Sequence, residues 1–212
     1  MMNNKFHGMA VACGLMLAAS VVQAQTSIKI GVTRYDTHAK TSGISGIGVP
    51  AGADATVGDA TTMIFVLGHA LTPNIGVELV LGVPPKIKSR AAGTVAFLGE
   101  VLEAKNVAPT LLVNYHFGQP GDAWRPYAGV GINYTRFTGV KSPLAEHVEM
   151  SDSVGPTAQA GIDYYFSKEW GAFASVAAVK VKSDLVAQGS TVLKTTIDFR
   201  PIVYSAGISY RF

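Results

Sequence analysis

The sequence predicts an all-β protein, an eight-stranded antiparallel transmembrane β-barrel with short periplasmic turns and four long extracellular loops. Three observations support this fold class: an alternating run at the C-terminus, apolar residues spread over short segments, and connections that alternate between long and short. Alternation with a period of two indicates a strand with one apolar face. A strand in lipid cannot leave an open edge, because each unpaired backbone amide in hydrocarbon costs several kcal/mol, so the strands must close into a barrel.

The alternation is clearest in residues 202–212. A tilted strand needs about 9 to 11 residues to cross the hydrocarbon core of a membrane, and this segment has a suitable length. Small, polar or charged residues occupy the opposite face of the segment. Its apolar face carries Ile202, Tyr204, Ala206, Ile208, Tyr210 and Phe212.

The composition also favours a membrane barrel. Only 15% of the residues are charged, yet beyond the N-terminal segment no run of about 18 apolar residues could form a transmembrane helix. Apolar residues in short alternating segments are typical of membrane barrels. The net charge of +3 is too small and too scattered for a nucleic-acid surface.

Residues 1–24 have the pattern of a cleaved signal peptide. Lys5 supplies the positive charge, residues 9–22 form an apolar segment too short to span a bilayer, and Val22-Gln23-Ala24 is a suitable cleavage site. Residues 25–212 would then form the outer-membrane β-barrel of a Gram-negative bacterium.

Eight strands can be assigned along this mature chain. Long and short connections alternate between them, and an even strand number brings both termini to the periplasm. Aromatic residues, including Trp124 and Trp170, cluster near the short turns, as in an interfacial girdle. The predicted long loops include residues 40–59, 138–153 and 182–193, and a mixed stretch runs from Pro84 to about residue 106. The predicted strands are 28–33, 62–71, 75–83, 107–117, 125–137, 155–166, 170–181 and 202–212.

A soluble lipocalin-like barrel is the alternative, and it would place apolar residues inside. Here, polar residues face away from the apolar side of the strands, which favours a polar lumen in a membrane barrel. Buried carboxylates need cationic partners, and we expect these among Arg125, Arg136, Lys180 and Arg211. The predicted polar lumen residues are Glu78, Asn114, His116, Gln159 and Asp163.

The residues leave two interpretations of the lumen open. Eight strands enclose little more than side chains, so hydrogen-bonded groups could plug the barrel. Alternatively, small inward residues such as Gly129 and Gly161 leave room for a thin ligand, beside an apolar lining of Val80, Leu112, Phe173 and Val179.

No sequence motif indicates catalysis, so we expect no enzyme activity, no catalytic residue, no metal and no cofactor. His38 and His147 fall in predicted loops, His69 and His116 fall in strands, and no two histidines have a metal-ligand spacing. The nucleophile-elbow motif is absent. A lipid-modifying enzyme would need a hydroxyl and a histidine on one lipid-facing edge, and His69 is the only candidate histidine.

Several segments resemble the OmpW family of outer-membrane proteins across essentially the whole mature chain. Two further segments, Gly82-Val83-Pro84 and Asn114-Tyr115-His116, resemble its AlkL branch, which is associated with hydrocarbon uptake. The family-like segments are Pro73-Asn74-Ile75-Gly76-Val77-Glu78-Leu79, Ala108-Pro109-Thr110-Leu111, Arg125-Pro126-Tyr127-Ala128-Gly129-Val130-Gly131-Ile132-Asn133-Tyr134, Gln159-Ala160-Gly161-Ile162-Asp163-Tyr164 and Tyr210-Arg211-Phe212.

The resemblance implies a hydrophobic funnel in the extracellular half, blocked below by side chains, so that apolar solutes leave sideways into the outer leaflet. Val80 matches an apolar gate position of the family. The facing gate position, commonly Trp, is Ala177 here, so either the constriction is wider or Phe173 fills the space.

The predicted function is therefore a passive outer-membrane channel for small hydrophobic molecules, and the alternative is a non-transporting structural or surface-interaction (receptor) barrel. The expected partners are small hydrophobic solutes, outer-membrane lipid and lipopolysaccharide. Tyr210 and Phe212 resemble the C-terminal signal that the outer-membrane insertion machinery recognises. We expect a monomer.

Overall fold

The computed structural model describes residues 25–37, 39–41, 43–46, 48–145, 147–188 and 192–212. The predicted signal peptide and His38 lie outside the described residues. No helix among the described residues is long and apolar enough to cross a membrane. The strands found in these ranges are β1 (Thr26–Asp36), β2 (Ala39–Thr41), β3 (Ala53–Val57), β4 (Ala60–Ala70), β5 (Ile75–Gly82), β6 (Lys86–Gly93), β7 (Glu100–Val107), β8 (Thr110–His116), β9 (Trp124–Lys141), β10 (His147–Met150), β11 (Ser153–Tyr165), β12 (Trp170–Val179), β13 (Val181–Gln188), β14 (Val192–Phe199) and β15 (Ile202–Arg211), with a 3₁₀ turn at Ala96–Leu98.

Eight of these strands close into an antiparallel barrel, so the predicted fold class is confirmed. In order around the wall they are β1, β4, β5, β8, β9, β11, β12 and β15. β15 pairs back onto β1, from Ser27 opposite Arg211 to Asp36 opposite Ile202. Closure satisfies the backbone of the first and last strands, which would otherwise be open edges.

The eight predicted strands coincide with these barrel strands apart from their ends. The largest difference is at residues 125–137, where β9 continues to Lys141. At residues 107–117, β8 begins only at Thr110, and Val107 belongs to β7. The outward and inward faces also follow the alternation. Val130 is 66% exposed on the outer face, whereas Asn114 is completely buried inside.

The outer apolar belt has the height of a membrane. Trp124 and Tyr134 both face outward on β9, ten residues apart. At about 3.4 Å per residue and a strand tilt of about 40°, they are separated by roughly 26 Å along the barrel axis, close to the ~25 Å belt of membrane barrels. Trp124 packs against Tyr164 at the short-turn end in a tilted arrangement, with ring centroids 4.3 Å apart, which agrees with the predicted girdle.

The long connections are present as predicted, but they are not simple loops, because they contain seven further strands within the described residues. β3, β6 and β7 join the upper end of β9 in one sheet, and β10, β13, β14 and β2 form another. His147, predicted in a loop, begins β10. We call these strands the extracellular extension.

The strands of the extracellular extension were not predicted because their polar face points outward and their apolar face points inward, the reverse of the membrane strands. On β6, Lys86, Lys88 and Arg90 are exposed, whereas Ser89 and Ala91 are buried. Water lies outside the barrel here, so polar residues face outward and small apolar residues face the interior. A search for strands with an apolar outer face therefore misses them.

Candidate functional site

A cavity of about 390 Å³ lies within the extracellular extension. We call it the vestibule. Residues from both sheets of the extension line it, including Ile44, Val49, Ala91, Leu102, Leu185 and Ile197. Most of the other lining residues are also apolar, so the vestibule suits an apolar molecule.

An aromatic constriction separates the vestibule from the barrel interior. The rings of Phe137 and Phe199 stack with centroids 5.9 Å apart and an angle of 29° between their planes. Both are buried in one cluster with Val181 and Ile197. Ile197 lines the vestibule, and Val181 lines the space below it, so this phenylalanine constriction lies between the two.

Below the constriction is a smaller chamber of about 80 Å³. Phe173 is buried against Ile64 and Val66, with Val80 packed on this cluster, whereas Ala177 contributes little volume. Their use as a gate remains a prediction. The five predicted gate or funnel residues, Val80, Leu112, Phe173, Ala177 and Val179, all line the chamber.

The floor of the chamber is a buried ionic cluster centred on Lys29. Its Nζ atom lies 2.7 Å from Asp163 Oδ1 and 3.0 Å from Glu78 Oε1, and all three side chains are buried. The same ammonium group lies 4.9 Å from the ring centroid of Tyr127 and 5.3 Å from that of Phe173. Each buried carboxylate therefore has a cationic partner inside the barrel, as buried charges require, and the two share one ammonium group.

Two amide side chains extend this cluster across the lumen. Asn114 Nδ2 donates a hydrogen bond to Glu78 Oε2 at 2.7 Å, and Gln159 Nε2 donates to Asn114 Oδ1 at 2.8 Å. A Cβ atom at Gly129 would overlap the Asn114 amide oxygen. The room predicted at this glycine is thus filled by Asn114.

His116 and Tyr165 complete the cluster on the periplasmic side. His116 Nε2 lies 3.5 Å from Asp163 Oδ2, and the Tyr165 hydroxyl donates to the same oxygen at 3.4 Å. A separate pocket of about 60 Å³ lies below, and Lys29 and Glu78 contact both it and the chamber. The cluster, which we call the plug, therefore separates the chamber from the periplasmic side. It contains Lys29, Glu78, Asn114, His116, Gln159 and Asp163.

Lys29 was not among the predicted cationic partners, and the prediction of Arg125, Arg136, Lys180 or Arg211 in this role is wrong. Arg125 donates to the Pro73 carbonyl oxygen at 2.9 Å, and Arg211 stacks on the Tyr165 ring at 3.3 Å. Arg136 and Lys180 are exposed. The alternation in Ile28-Lys29-Ile30 was the available signal, because apolar neighbours facing lipid place the lysine inside.

The barrel wall is interrupted beside the chamber. β5 and β8 pair from Ile75 opposite Tyr115 to Val80 opposite Thr110. The next backbone hydrogen bond between these segments joins the Asn106 amide to the Pro85 carbonyl oxygen at 3.1 Å. No backbone hydrogen bond joins residues 81–84 to residues 107–109, all of which are described. Two of these residues, Pro84 and Pro109, have no N–H group to donate. We call this interruption the wall gap. Gly82 and Ala108 border both this wall gap and the chamber.

The family of this chain follows from the similarity of its sequence to known proteins. A model of the OmpW family matches residues 23–212. The chain belongs to the OmpW family. It is therefore a Gram-negative outer-membrane barrel, and proteins of the OmpW family are transporters or structural proteins rather than enzymes.

Individual relatives within and around the OmpW family agree with this assignment. The chain is 30% identical to outer membrane protein W of Vibrio cholerae serotype O1 over 76% of its own length and 77% of the relative. It is 27% identical to outer membrane protein AlkL of Ectopseudomonas oleovorans, over 79% and 73% of the two chains. The crystal structure of OprG from Pseudomonas aeruginosa superposes with a TM-score of 0.80 at 26% identity, covering 89% and 96% of the two chains.

His69 does not alter the OmpW assignment. Its ring is exposed, and Nδ1 lies 3.2 Å from the Thr26 hydroxyl, so a hydroxyl and a histidine do meet at the lower edge of the barrel. Among the described residues, however, no carboxylate orients this histidine, as the base of a catalytic triad would require. Tyr210 and Phe212 lie at the same end with ring centroids 5.0 Å apart, and their recognition by the insertion machinery remains a prediction.

Proposed function

We propose that this barrel is a passive channel for small hydrophobic molecules, which enter through the vestibule and leave sideways into the outer leaflet. The observation that carries the proposal is the order of environments along the barrel axis. The vestibule and the constriction are apolar, whereas the plug below them is ionic. An apolar solute would thus be accepted from outside and stopped above the periplasm.

The energetics of such a route need no external energy source. Moving an alkane from an apolar environment into water costs about 0.8 kcal/mol per CH₂ group, so a route that avoids water removes most of the barrier. Passage through the plug would instead require desolvated ion pairs to separate, which is strongly unfavourable. Exit into lipid tails exchanges one apolar environment for another and is nearly isoenergetic.

The wall gap supports a lateral exit. It lies beside the chamber, and its outer rim carries the exposed side chains of Leu81 and Val83. Opening the wall here would break no β5–β8 ladder hydrogen bond, because none is made between 81–84 and 107–109. The resemblance to the AlkL branch is consistent with this kind of solute.

The size of the vestibule supports a small-molecule solute. Small-molecule sites typically have volumes of about 300 to 1,000 Å³ and mainly apolar walls. The vestibule, at about 390 Å³, is within this range, whereas the chamber, at about 80 Å³, is too small to hold such a solute without movement. Passage would therefore require the phenylalanine constriction and the chamber to widen together.

Uptake by cells with and without the protein tests the proposal. Labelled medium-chain alkane should enter faster with the protein, whereas a glucose-sized polar solute should not. Gly82→Leu should slow alkane entry by filling the inner mouth of the wall gap, since a Cβ atom at Gly82 meets no atom closer than 3.7 Å and the side chain can be accommodated. Gly121→Leu, on a periplasmic turn with no atom within 4 Å of the added Cβ, is the matched control.

Equal alkane entry with and without the protein would refute the channel. Unchanged entry in Gly82→Leu would refute the lateral exit while leaving the vestibule as the entrance. The plug also fits the alternative of a surface-interaction barrel, because it closes the lumen towards the periplasm. A surface phenotype lost on deletion of β13 and β14, together with unchanged uptake, would favour that alternative.

A further inference from the structure

The outer face of the extracellular extension carries a cluster of cations on β6, β7 and β9. Lys86 lies directly opposite Lys105, and Lys105 lies opposite Thr138. Arg136, two residues before Thr138 on the same face, lies opposite Val107. We call Lys86, Lys105 and Arg136 the basic patch.

The described carboxylates around the basic patch pair with only one of its three cations, Lys86. Glu100 pairs with Lys88 at 3.0 Å, and Glu103 lies 3.5 Å from Lys86. Lys105 and Arg136 have no ion pair among the described residues, and neither has Lys141 beside them on β9. Like charges placed opposite each other across two strands are destabilising, so the Lys86–Lys105 pair favours an external anion.

Further carboxylates lie along the edges of the patch. Asp152, on the β11 side, accepts a hydrogen bond from the Tyr134 hydroxyl at 2.5 Å. Asp54, on the β3 side, accepts one from Thr41. Both donors are neutral hydroxyls, so each carboxylate keeps its negative charge. The exposed Arg90 and Lys141 add two positive charges, and cations therefore outnumber carboxylates here. The outer surface of this sheet is therefore basic overall.

The patch lies at the height of the lipid headgroups. The outer apolar belt ends at Tyr134, and Arg136 follows two residues later on the same outward face of β9. Two residues of a tilted strand rise by roughly 5 Å along the barrel axis, just beyond the hydrocarbon. An anion that meets the patch at this height would belong to the outer leaflet itself.

We propose that the basic patch binds a phosphate group of the glycolipid, lipid A, that forms the outer leaflet. Arg136 can donate two parallel hydrogen bonds to phosphate oxygens, and the two lysines supply point charges beside it. The acyl chains of the same lipid would lie against the apolar belt below. Binding of lipid at the basic patch does not depend on whether the barrel transports a solute.

The position of the site places the lipid over the wall gap. Lys86 directly follows Pro84-Pro85, and Lys105 lies two residues before Val107, so the patch borders both sides of the gap from above. A lipid held by its phosphate would bring acyl chains against residues 81–83. The chains would cover the gap and provide an apolar surface there.

Binding of purified protein in detergent micelles to lipid A tests the proposal. The titrations compare diphosphorylated lipid A, enzymatically dephosphorylated lipid A and inorganic phosphate. The tested variant is Lys105→Gln/Arg136→Gln. The matched control, Arg34→Gln/Arg200→Gln, also removes two exposed cations, but these are already paired with Asp59 at 3.2 Å and Asp198 at 2.9 Å.

Two charges near a membrane surface should together change the affinity roughly tenfold or more. We expect this loss for diphosphorylated lipid A in Lys105→Gln/Arg136→Gln and no change in the control. The dephosphorylated lipid should bind wild type as weakly as the variant, and inorganic phosphate alone should not compete at equal concentration. Equal binding of both lipids by wild type, or equal losses in both double variants, would overturn the proposal. Circular dichroism checks that each variant is folded. If Lys105→Gln/Arg136→Gln does not fold, the single variant Lys105→Gln is tested in its place.

Discussion

Lys29 and Asp163 meet inside the barrel at 2.7 Å although 134 residues separate them along the chain. They belong to β1 and β11, which have β15 and β12 between them in the wall. The ion pair therefore ties together strands that share no backbone hydrogen bond. Glu78, on β5, extends the same link to the other side of β1.

Replacing Lys29 by Met should destabilise the barrel strongly. The substitution leaves two buried carboxylates without their cation, and removing one partner of a buried pair costs about 3 to 5 kcal/mol. Denaturant unfolding in lipid vesicles measures this loss, with Lys168→Met on an exposed periplasmic turn as the control. In Lys29→Met/Glu78→Gln/Asp163→Asn no charge is left uncompensated, so at least half of the stability should return. Equal stability of wild type and Lys29→Met would show that the ion pairs contribute nothing.

Truncating Phe199 should open the phenylalanine constriction. Phe199→Ala removes one ring of the stacked pair, so alkane entry should rise while the free energy of unfolding falls by about 3 to 5 kcal/mol, as for other buried Phe→Ala changes. Phe97 is 82% exposed, and Phe97→Ala should change neither quantity. Slower alkane entry in folded Phe199→Ala would mean that the ring guides the solute rather than restricting it.

Filling the vestibule should block uptake without affecting the membrane strands. Ala91 is buried and lines the vestibule, whereas its neighbour Ala92 does not line it. Ala91→Phe should reduce alkane entry, because the new ring occupies the cavity. Ala92→Phe places the same ring on the opposite face of β6 and should leave entry unchanged. If both variants behave alike in the uptake assay, the vestibule is not the entrance.

Acidification should weaken the contact between the end of β1 and the segment before β4. The Thr37 backbone N–H, 3.1 Å from Asp59 Oδ1, and the Arg34 guanidinium hold the pKa of Asp59 below its usual value. The pKa of Asp59 is lower in the folded chain than in the unfolded chain. The stability that its ionised carboxylate contributes is therefore fully present above the unfolded pKa and is lost as the pH falls through the folded pKa.

An NMR titration of the Asp59 carboxyl carbon measures this pKa directly. In Arg34→Gln it should remain below the usual value, since the Thr37 hydrogen bond is its largest cause. Titration of Asp59 at its usual value in this variant would assign the whole shift to the arginine instead. The spectrum of Asp59→Asn identifies the resonance.

The membrane part of the fold could be predicted because lipid imposes a strict pattern. Residues such as Val130 and Ile132 must face outward, and the residues between them must then face the interior. The inward orientation of Glu78, Asn114 and Asp163 follows from the same rule. What the rule does not give is which cation meets which carboxylate, because Lys29 and Asp163 are brought together by barrel closure and not by local sequence.

The extracellular extension was harder to predict, since its outer face meets water and its inner face uses small residues. Ala53 and Ala91 are weak strand formers and resemble loop residues in isolation, but each is buried in the wall of the vestibule. Phe137 and Phe199 lie 62 positions apart, and no local pattern marks them as a stacked pair. Their contact depends on how the two upper sheets are placed around one cavity.

The inversion of faces along β9 restricts how this chain can change in length. This single strand of 18 residues runs from the lower girdle through the membrane and into the extension, with Tyr134 near the boundary. Inserting one residue below that boundary would turn Arg136 inward and Phe137 outward, and would break the register with both β7 and β11. Between Thr138 and Lys141 the strand already takes up one extra residue at a shift in its register with β7. Related sequences should therefore change the part below Thr138 in steps of two residues and confine odd changes to this bulge or to the connections at the strand ends.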